Sequence, residues 1–224
     1  MHSTKLIFFD LDGTLIDSLP DLAWAVDHMM MSMNKTPPGI LNTKSWVGNG
    51  AAKLIKRALT HSMDAEPEAK EFRHAQQLFN HFYSETLSVR SRLYEGVMVT
   101  LEQLKHHVIG FICITNKPSE FTHPLLQQLC LTPFFNLVIC GDSLNYKKPH
   151  PEPLLYAAAQ SQIAISDCLM VGDSKNDIEA ARAAGCPVVA VSYGYNHGED
   201  IRLANPDACI DHFADLLPLI APAA

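Results

Sequence analysis

An α/β fold is what this chain predicts: a parallel sheet held between two helical layers, with an all-helical segment set into it. Three observations lead there. Five short apolar, β-prone runs each end in polar residues, helical patterns separate the last four of them, and residues 18–88 show helical spacing with no strand signal. Strands alternating with helices argue for parallel pairing through right-handed crossovers. Five such strands suffice for a three-layer core.

The elements follow in order. Leu6-Ile7-Phe8-Phe9 suits a strand buried on both faces and runs directly into Asp10-Leu11-Asp12-Gly13-Thr14. Ser18 is predicted to cap a helix, with Asp21 in its first turn and Leu19, Leu22, Ala23, Val26, Met29, Met30 and Met33 on its apolar stripe. Residues 34–42, with Pro37, Pro38 and Gly39, break that helix. The turn Trp46-Val47-Gly48-Asn49-Gly50 then opens a short amphipathic helix, and a third stripe carries Phe72, Ala75, Leu78, Phe79, Phe82 and Tyr83. Later strands are expected at 108–114, 137–140, 168–171 and 188–191. The helices between them are expected near 121–129, with Pro124 as a kink or a restart, then 152–160 and 176–184, where Gly185 stops the last. Residues 1–17 and 89–224 are therefore expected to form a discontinuous α/β core, and 18–88 a helical cap.

Composition narrows the function. The chain has 224 residues, 47% hydrophobic and 18% charged, the profile of an ordinary globular protein of one large or two modest domains. A net charge of −7 without a basic tract argues against nucleic acid or an anionic membrane as partner. The same charge means that an anionic substrate needs local cations, a metal among them. Of six cysteines none forms a C-x-x-C pair, and Cys113, Cys140 and Cys168 lie in apolar strand-like runs, which suits buried thiols in a reducing cytosol. Only four apolar residues separate Lys5 from Asp10, too few for a signal-peptide core or a membrane span, so a cytoplasmic location is expected. The eleven histidines contain no H-E-x-x-H or comparable ligand set.

The polar residues carry the chemistry through where they fall. Asp10 and Asp12, Thr115 and Asn116, and Asp173 each follow a predicted strand, and Lys148 lies in a loop before a helix. In a parallel sheet such strand ends share one edge, where ligands bind. Two carboxylates there can bind a hard cation and divide nucleophilic and acid/base work. Each residue alone has a plainer explanation: a D-x-D-G turn, a strand-end Thr-Asn turn, a solvated lysine. Their convergence on one edge does not. Lys117 and Lys147 read as solvated lysines, and Asp177 as either a first-turn helix acid or a support for Lys148 or a metal.

Asp10-Leu11-Asp12-Gly13-Thr14, Thr115-Asn116, Lys148-Pro149-His150-Pro151 and Gly172-Asp173-Ser174-Lys175-Asn176-Asp177 resemble, in order, the four motifs of the haloacid dehalogenase superfamily. The resemblance spans essentially the whole chain. It implies a Rossmann-like core with strand order 5-4-1-2-3 by order of appearance and a cap inserted between the first two motifs. It also implies Asp10 as nucleophile, Asp12 as general acid and base, and Mg²⁺ held by Asp10, the Asp12 carbonyl and Asp173. Thr115, Asn116 and Lys148 would bind the phosphoryl group. An acid at position 12 suits a leaving alcohol, which keeps phosphomonoester hydrolysis and sugar-phosphate mutation open; a phosphoester-binding regulator without turnover is the non-enzyme alternative.

Specificity is expected to lie in the cap. Gly48 and Gly50 permit close backbone approach, a helix N-terminus favours anions, and Asn49 is a candidate for binding a second anionic group, with Lys53, Lys56 and Arg57 as possible helpers. The W-V-G-N-G turn, Thr115-Asn116-Lys117-Pro118, Lys147-Lys148-Pro149-His150-Pro151, Val171 to Ile178 and Tyr193-Gly194-Tyr195-Asn196 resemble bacterial members of this superfamily that hydrolyse 2-phosphoglycolate. That implies a small phosphate ester carrying a carboxylate as the partner. Monomer and homodimer both stay open.

Overall fold

Alternating burial along the strands decides the architecture. In the computed structural model, which describes residues 4–220, Ile7 and Phe9 of β1 (Leu6–Phe9) face one apolar cluster, and Leu6 and Phe8 face another. The same alternation recurs in β4 (Gly110–Ile114), β6 (Cys168–Gly172) and β7 (Val188–Val191). A sheet apolar on both faces needs cover on both, which is the three-layer arrangement. With β5 (Phe135–Ile139) and β8 (Ala208–Ile210) the parallel sheet has six strands, in the order β5-β4-β1-β6-β7-β8. This is the order expected by resemblance, extended at one edge by β8. Three residues give β8 too short a period to be read from sequence.

Helices α5 (Val97–Leu104), α6 (Ser119–Gln128), α7 (Glu152–Ser161), α8 (Lys175–Ala184) and α9 (Leu216–Ile220) surround the sheet. Pro124 lies within α6 without ending it. Between the two-residue strands β2 (Ile16–Asp17) and β3 (Arg92–Leu93), which pair antiparallel, runs a helical insertion. It comprises α1 (Leu19–Ser32), α2 (Gly39–Trp46), α3 (Ala51–Thr60) and α4 (Ala69–Thr86). The segment expected to break the helix in fact ends with the start of α2, for which Pro38 is the flanking residue; proline suits a helix start because its missing N–H would be unpaired there. The expected core ranges 1–17 and 89–224 include residues 1–3 and 221–224, which lie outside the described residues.

Ser18 precedes α1 but makes no side-chain capping bond. Asp21, fully buried, instead turns to the chain returning from the insertion. It accepts from the backbone N–H of Arg90 and of Ser91 and from the Ser91 hydroxyl, the last two at 2.7 Å. Several donors to one buried carboxylate satisfy its charge and clamp the two connections side by side. Among the described residues, no helix is long and apolar enough to cross a membrane.

Candidate active site

Register brings the polar strand ends together. Phe9 of β1 lies beside Cys113 of β4 and Val171 of β6, so the chain emerges as Asp10, Thr115 and Asp173 on one edge. Asp10 N–H still donates to the Val171 carbonyl at 3.0 Å, and Thr115 N–H to that of Ile139 at 2.9 Å, so both side chains start from ordered sheet. Lys148 reaches the same place from the loop before α7. Its ammonium, almost wholly enclosed, lies 2.9 Å from Asp10 Oδ1 and 2.7 Å from Asp177 Oδ1, and donates to the Ile114 carbonyl.

Asp10 and Asp177 share one ammonium, and Asp173 lies beside them, so the cluster has excess negative charge. Burial pushes the Asp10 carboxyl up to about 7, with Lys148 pulling it down and Asp177 adding to the rise. Burial and the charges of Asp10 and Asp177 lift Asp173 well above the carboxylate range, against bonds from Tyr195 N–H (2.7 Å) and the Thr14 hydroxyl (2.8 Å). Burial works against the charge on Lys148, but Asp10 and Asp177 outweigh it and its pKa rises. Asp10, Asp173 and Asp177 each bring a carboxylate oxygen to within 4.8 Å of the others. An all-oxygen set with unbalanced negative charge fits a hard cation. Asp177 also accepts from Ser174 N–H and hydroxyl in the capping box of α8, which fixes it under Lys148. Gly13, at φ +92°, permits the close approach of Asp173: a side chain there would run into that carboxylate and the Tyr195 ring.

Asp12 has a different neighbour. Lys117, read from sequence as solvated, is buried, and its ammonium donates to both Asp12 oxygens at 3.1 Å and to the Tyr83 hydroxyl at 2.5 Å. Tyr83 comes from α4, so the helical insertion touches the carboxylate pair through one lysine. Asp10, Asp12, Thr115, Asn116 and Lys117 all line one open cavity. Gly48, Gly50 and Tyr83 of the helical insertion line it as well. Lys117, Tyr83, Thr14 and Tyr195 are the residues that sequence reasoning did not assign to the site; Thr14, Lys117 and Tyr195 lie in stretches that carried the resemblance, and Tyr83 showed only its place on a helical stripe.

The turn before α3 is tied to the core. Gly48 carbonyl accepts from the amides of Asn116 (3.1 Å) and Asn176 (3.2 Å), and Lys147, also expected to be solvated, donates to the Asn49 carbonyl at 2.8 Å. Asn49 directs its own amide at Asn176 Oδ1, 3.1 Å away, and is not among the cavity-lining residues. Arg57 bonds the Trp46 and Met63 carbonyls, and Lys53 and Lys56 pair with Glu66. None of these three cations lines the cavity.

Comparison with known families supplies the class. The chain belongs to the haloacid dehalogenase-like hydrolases, whose family model matches residues 7–191. Within that class it is 46% identical to the phosphoglycolate phosphatase of Nitrosococcus oceani over 224 residues, the full length of both chains. It is 43% identical to the enzyme of that name from Yersinia pestis over 214 residues, 96% of this chain and 92% of the relative. A crystal structure described as a predicted phosphoglycolate phosphatase from Haemophilus somnus 129pt superposes with a TM-score of 0.93 at 39% identity, covering 98% of this chain and 99% of that one.

Proposed function

We propose that this protein is a Mg²⁺-dependent phosphoric monoester hydrolase that converts 2-phosphoglycolate to glycolate and phosphate through an aspartyl-phosphate. The observation that carries this reading is the pair Asp10 and Asp12 facing one cavity with Thr115 and Lys117, while Lys148 stands behind Asp10. The names of relatives at 43–46% identity over nearly the whole chain support the substrate.

A carboxylate oxygen of Asp10 attacks phosphorus as the ester P–O bond breaks, and Asp12 gives a proton to the departing alkoxide. Asp12 then takes a proton from water, which attacks phosphorus, breaks the acyl-phosphate bond and restores the Asp10 carboxylate. Lys148 offsets the charge of nucleophile and phosphate. The Thr115 hydroxyl, whose oxygen already accepts from Lys117 N–H at 3.2 Å, keeps its proton for a phosphoryl oxygen, and Asn116 offers its backbone N–H beside it. Mg²⁺ would be held by Asp10, Asp173 and the Asp12 carbonyl, with Asp177 supporting Lys148, and would supply charge neutralisation at the phosphoryl oxygens. Residues 18–88 act as the cap, and Asn49 serves its turn by binding Asn176. Four enclosed thiols, Cys113, Cys140, Cys168 and Cys186, suit a reducing cytoplasm.

Phosphate release from 2-phosphoglycolate, glucose 1-phosphate, pyridoxal phosphate and a nucleoside monophosphate tests the reading, with Mg²⁺, with EDTA and with Asp10→Asn. The expected result is Mg²⁺-dependent preference for 2-phosphoglycolate, and a loss of about 10⁴-fold or more in Asp10→Asn. Broad activity would discard the substrate; release independent of Asp10 would discard the mechanism.

A further inference from the structure

We propose that Lys117 is the specificity residue of this enzyme, selecting esters that carry an anionic group next to the leaving oxygen by transferring its ammonium from Asp12 to that group. This deepens the phosphatase reading above and rests on it.

Among the described residues that line the cavity, Lys117 is the one cation. Lys148 is held by Asp10, Asp177 and the Ile114 carbonyl, and Lys147, which gives one bond to the Asn49 carbonyl, does not line the cavity. Much of the remaining wall is apolar, with Leu22, Leu54, Phe79 and Phe121. A carboxylate entering such a space must find a charged partner, because an unpaired buried charge is prohibitive. Lys117 offers one.

Its location matches the leaving group. An alkoxide protonated by Asp12 must sit within hydrogen-bond distance of the carboxylate that Lys117 already touches at 3.1 Å. A substituent one carbon beyond that oxygen is therefore within reach of the ammonium. Tyr83 keeps the ammonium there: its ring is buried, stacks on Phe79 at 5.4 Å and meets Phe121 edge-on at 5.0 Å. An uncharged ester offers nothing to replace Asp12 and leaves the lysine where it is.

The experiment compares kcat/KM for 2-phosphoglycolate and ethyl phosphate, which differ in the carboxylate, in the wild type, K117M, K117R and Y83F. The wild-type ratio should fall about 10–100-fold in K117M, the scale of one charge-assisted hydrogen bond. K117R should retain part of the preference, and Y83F should lose a few-fold through the freed ammonium. If Lys117 serves only to position Asp12, both substrates lose rate alike and the ratio holds, which overturns the proposal. Should K117M fail to fold, wild-type ratios in both K117R and Y83F overturn it equally. A wild type that prefers another carboxylate-bearing ester, with that preference lost in K117M, keeps the role of Lys117 and discards 2-phosphoglycolate. Preference for 2-phosphoglycolate that survives in K117M keeps the substrate and discards Lys117. A wild type without preference for any carboxylate-bearing ester discards both.

Discussion

Asp10 titrates near 3.8 in an unfolded chain and near 7 in the folded, metal-free protein, because its burial outweighs the pull of Lys148. Between those values the native state holds a proton that the unfolded state has lost. This contribution to stability is complete below about pH 3.8 and disappears as pH rises through 7. A cation at the carboxylate cluster has the opposite preference, since it needs the ionised groups. The rise in Tm on exchanging EDTA for Mg²⁺ should therefore be small at about pH 5.5 and should grow through neutrality, reaching a stabilisation of about 2.7 kcal/mol when Mg²⁺ is a hundredfold above its Kd. Thermal unfolding across pH measures it, and a shift independent of pH would place the metal away from Asp10. At this scale Asp10, Asp12, Thr115, Asn116, Lys148 and Asp173 were legible because each follows a strand or precedes a helix in a fixed order. Lys117 was not: the Tyr83 that encloses it lies 34 residues earlier on another element, and no local pattern encodes that meeting.

The turn from Trp46 to Gly50 shows how an element can act through backbone fit. Gly50, at φ +85°, stands at the start of α3, and a Cβ there would come within 2.8 Å of the Asn116 carbonyl. Gly50→Ala meets two obstacles: an extended backbone at positive φ that is essentially confined to glycine and costs an L side chain about 1–3 kcal/mol, and the backbone of the Thr115-Asn116 motif. The expected outcome is a loss of that order in stability to urea, with kcat/KM for 2-phosphoglycolate down at least about tenfold as the turn stands off the motif. Kinetics unchanged alongside the lost stability would show that the turn's contact with Asn116 has no part in turnover. Sequence reached the glycines but not the contacts. The five long strands were readable from their apolar runs; β8 and the β2–β3 ribbon were too short to show a period. Helix α2 was hidden by Pro37, Pro38 and Gly39, whose turn-forming character here serves a helix start. Ser18 and Asp21 stand where expected, before α1 and in its first turn, but the donors to Asp21 arrive from Arg90 and Ser91, about 70 residues later, which no local pattern encodes.

Across the whole molecule, one apolar cluster crosses from the sheet into the helical insertion. Ile7, Phe9, Phe111 and Val171 on one face of the sheet belong to the same cluster as Leu22 and Val26 of α1 and Phe79 and Tyr83 of α4. The composition shift at residues 18–88 reads as a separate module, but helices that share a core with the sheet gain little by unfolding alone. Separating them would expose apolar surface on both sides, at about 25 cal/mol per Å². The two tryptophans make this testable, because Trp24 and Trp46 both lie in the insertion while far-UV circular dichroism senses every helix and strand. Fluorescence and dichroism should report the same urea midpoint and slope, as one cooperative transition. The shared core is the reason, with the Asp21 clamp and the Lys117–Tyr83 bond linking the same two parts at their connections and at the cavity. A fluorescence transition that precedes the dichroism change would mean that the insertion opens on its own. The cluster would then be two cores in contact, and closure of the insertion over Asp10 and Asp12 would depend on the polar ties alone.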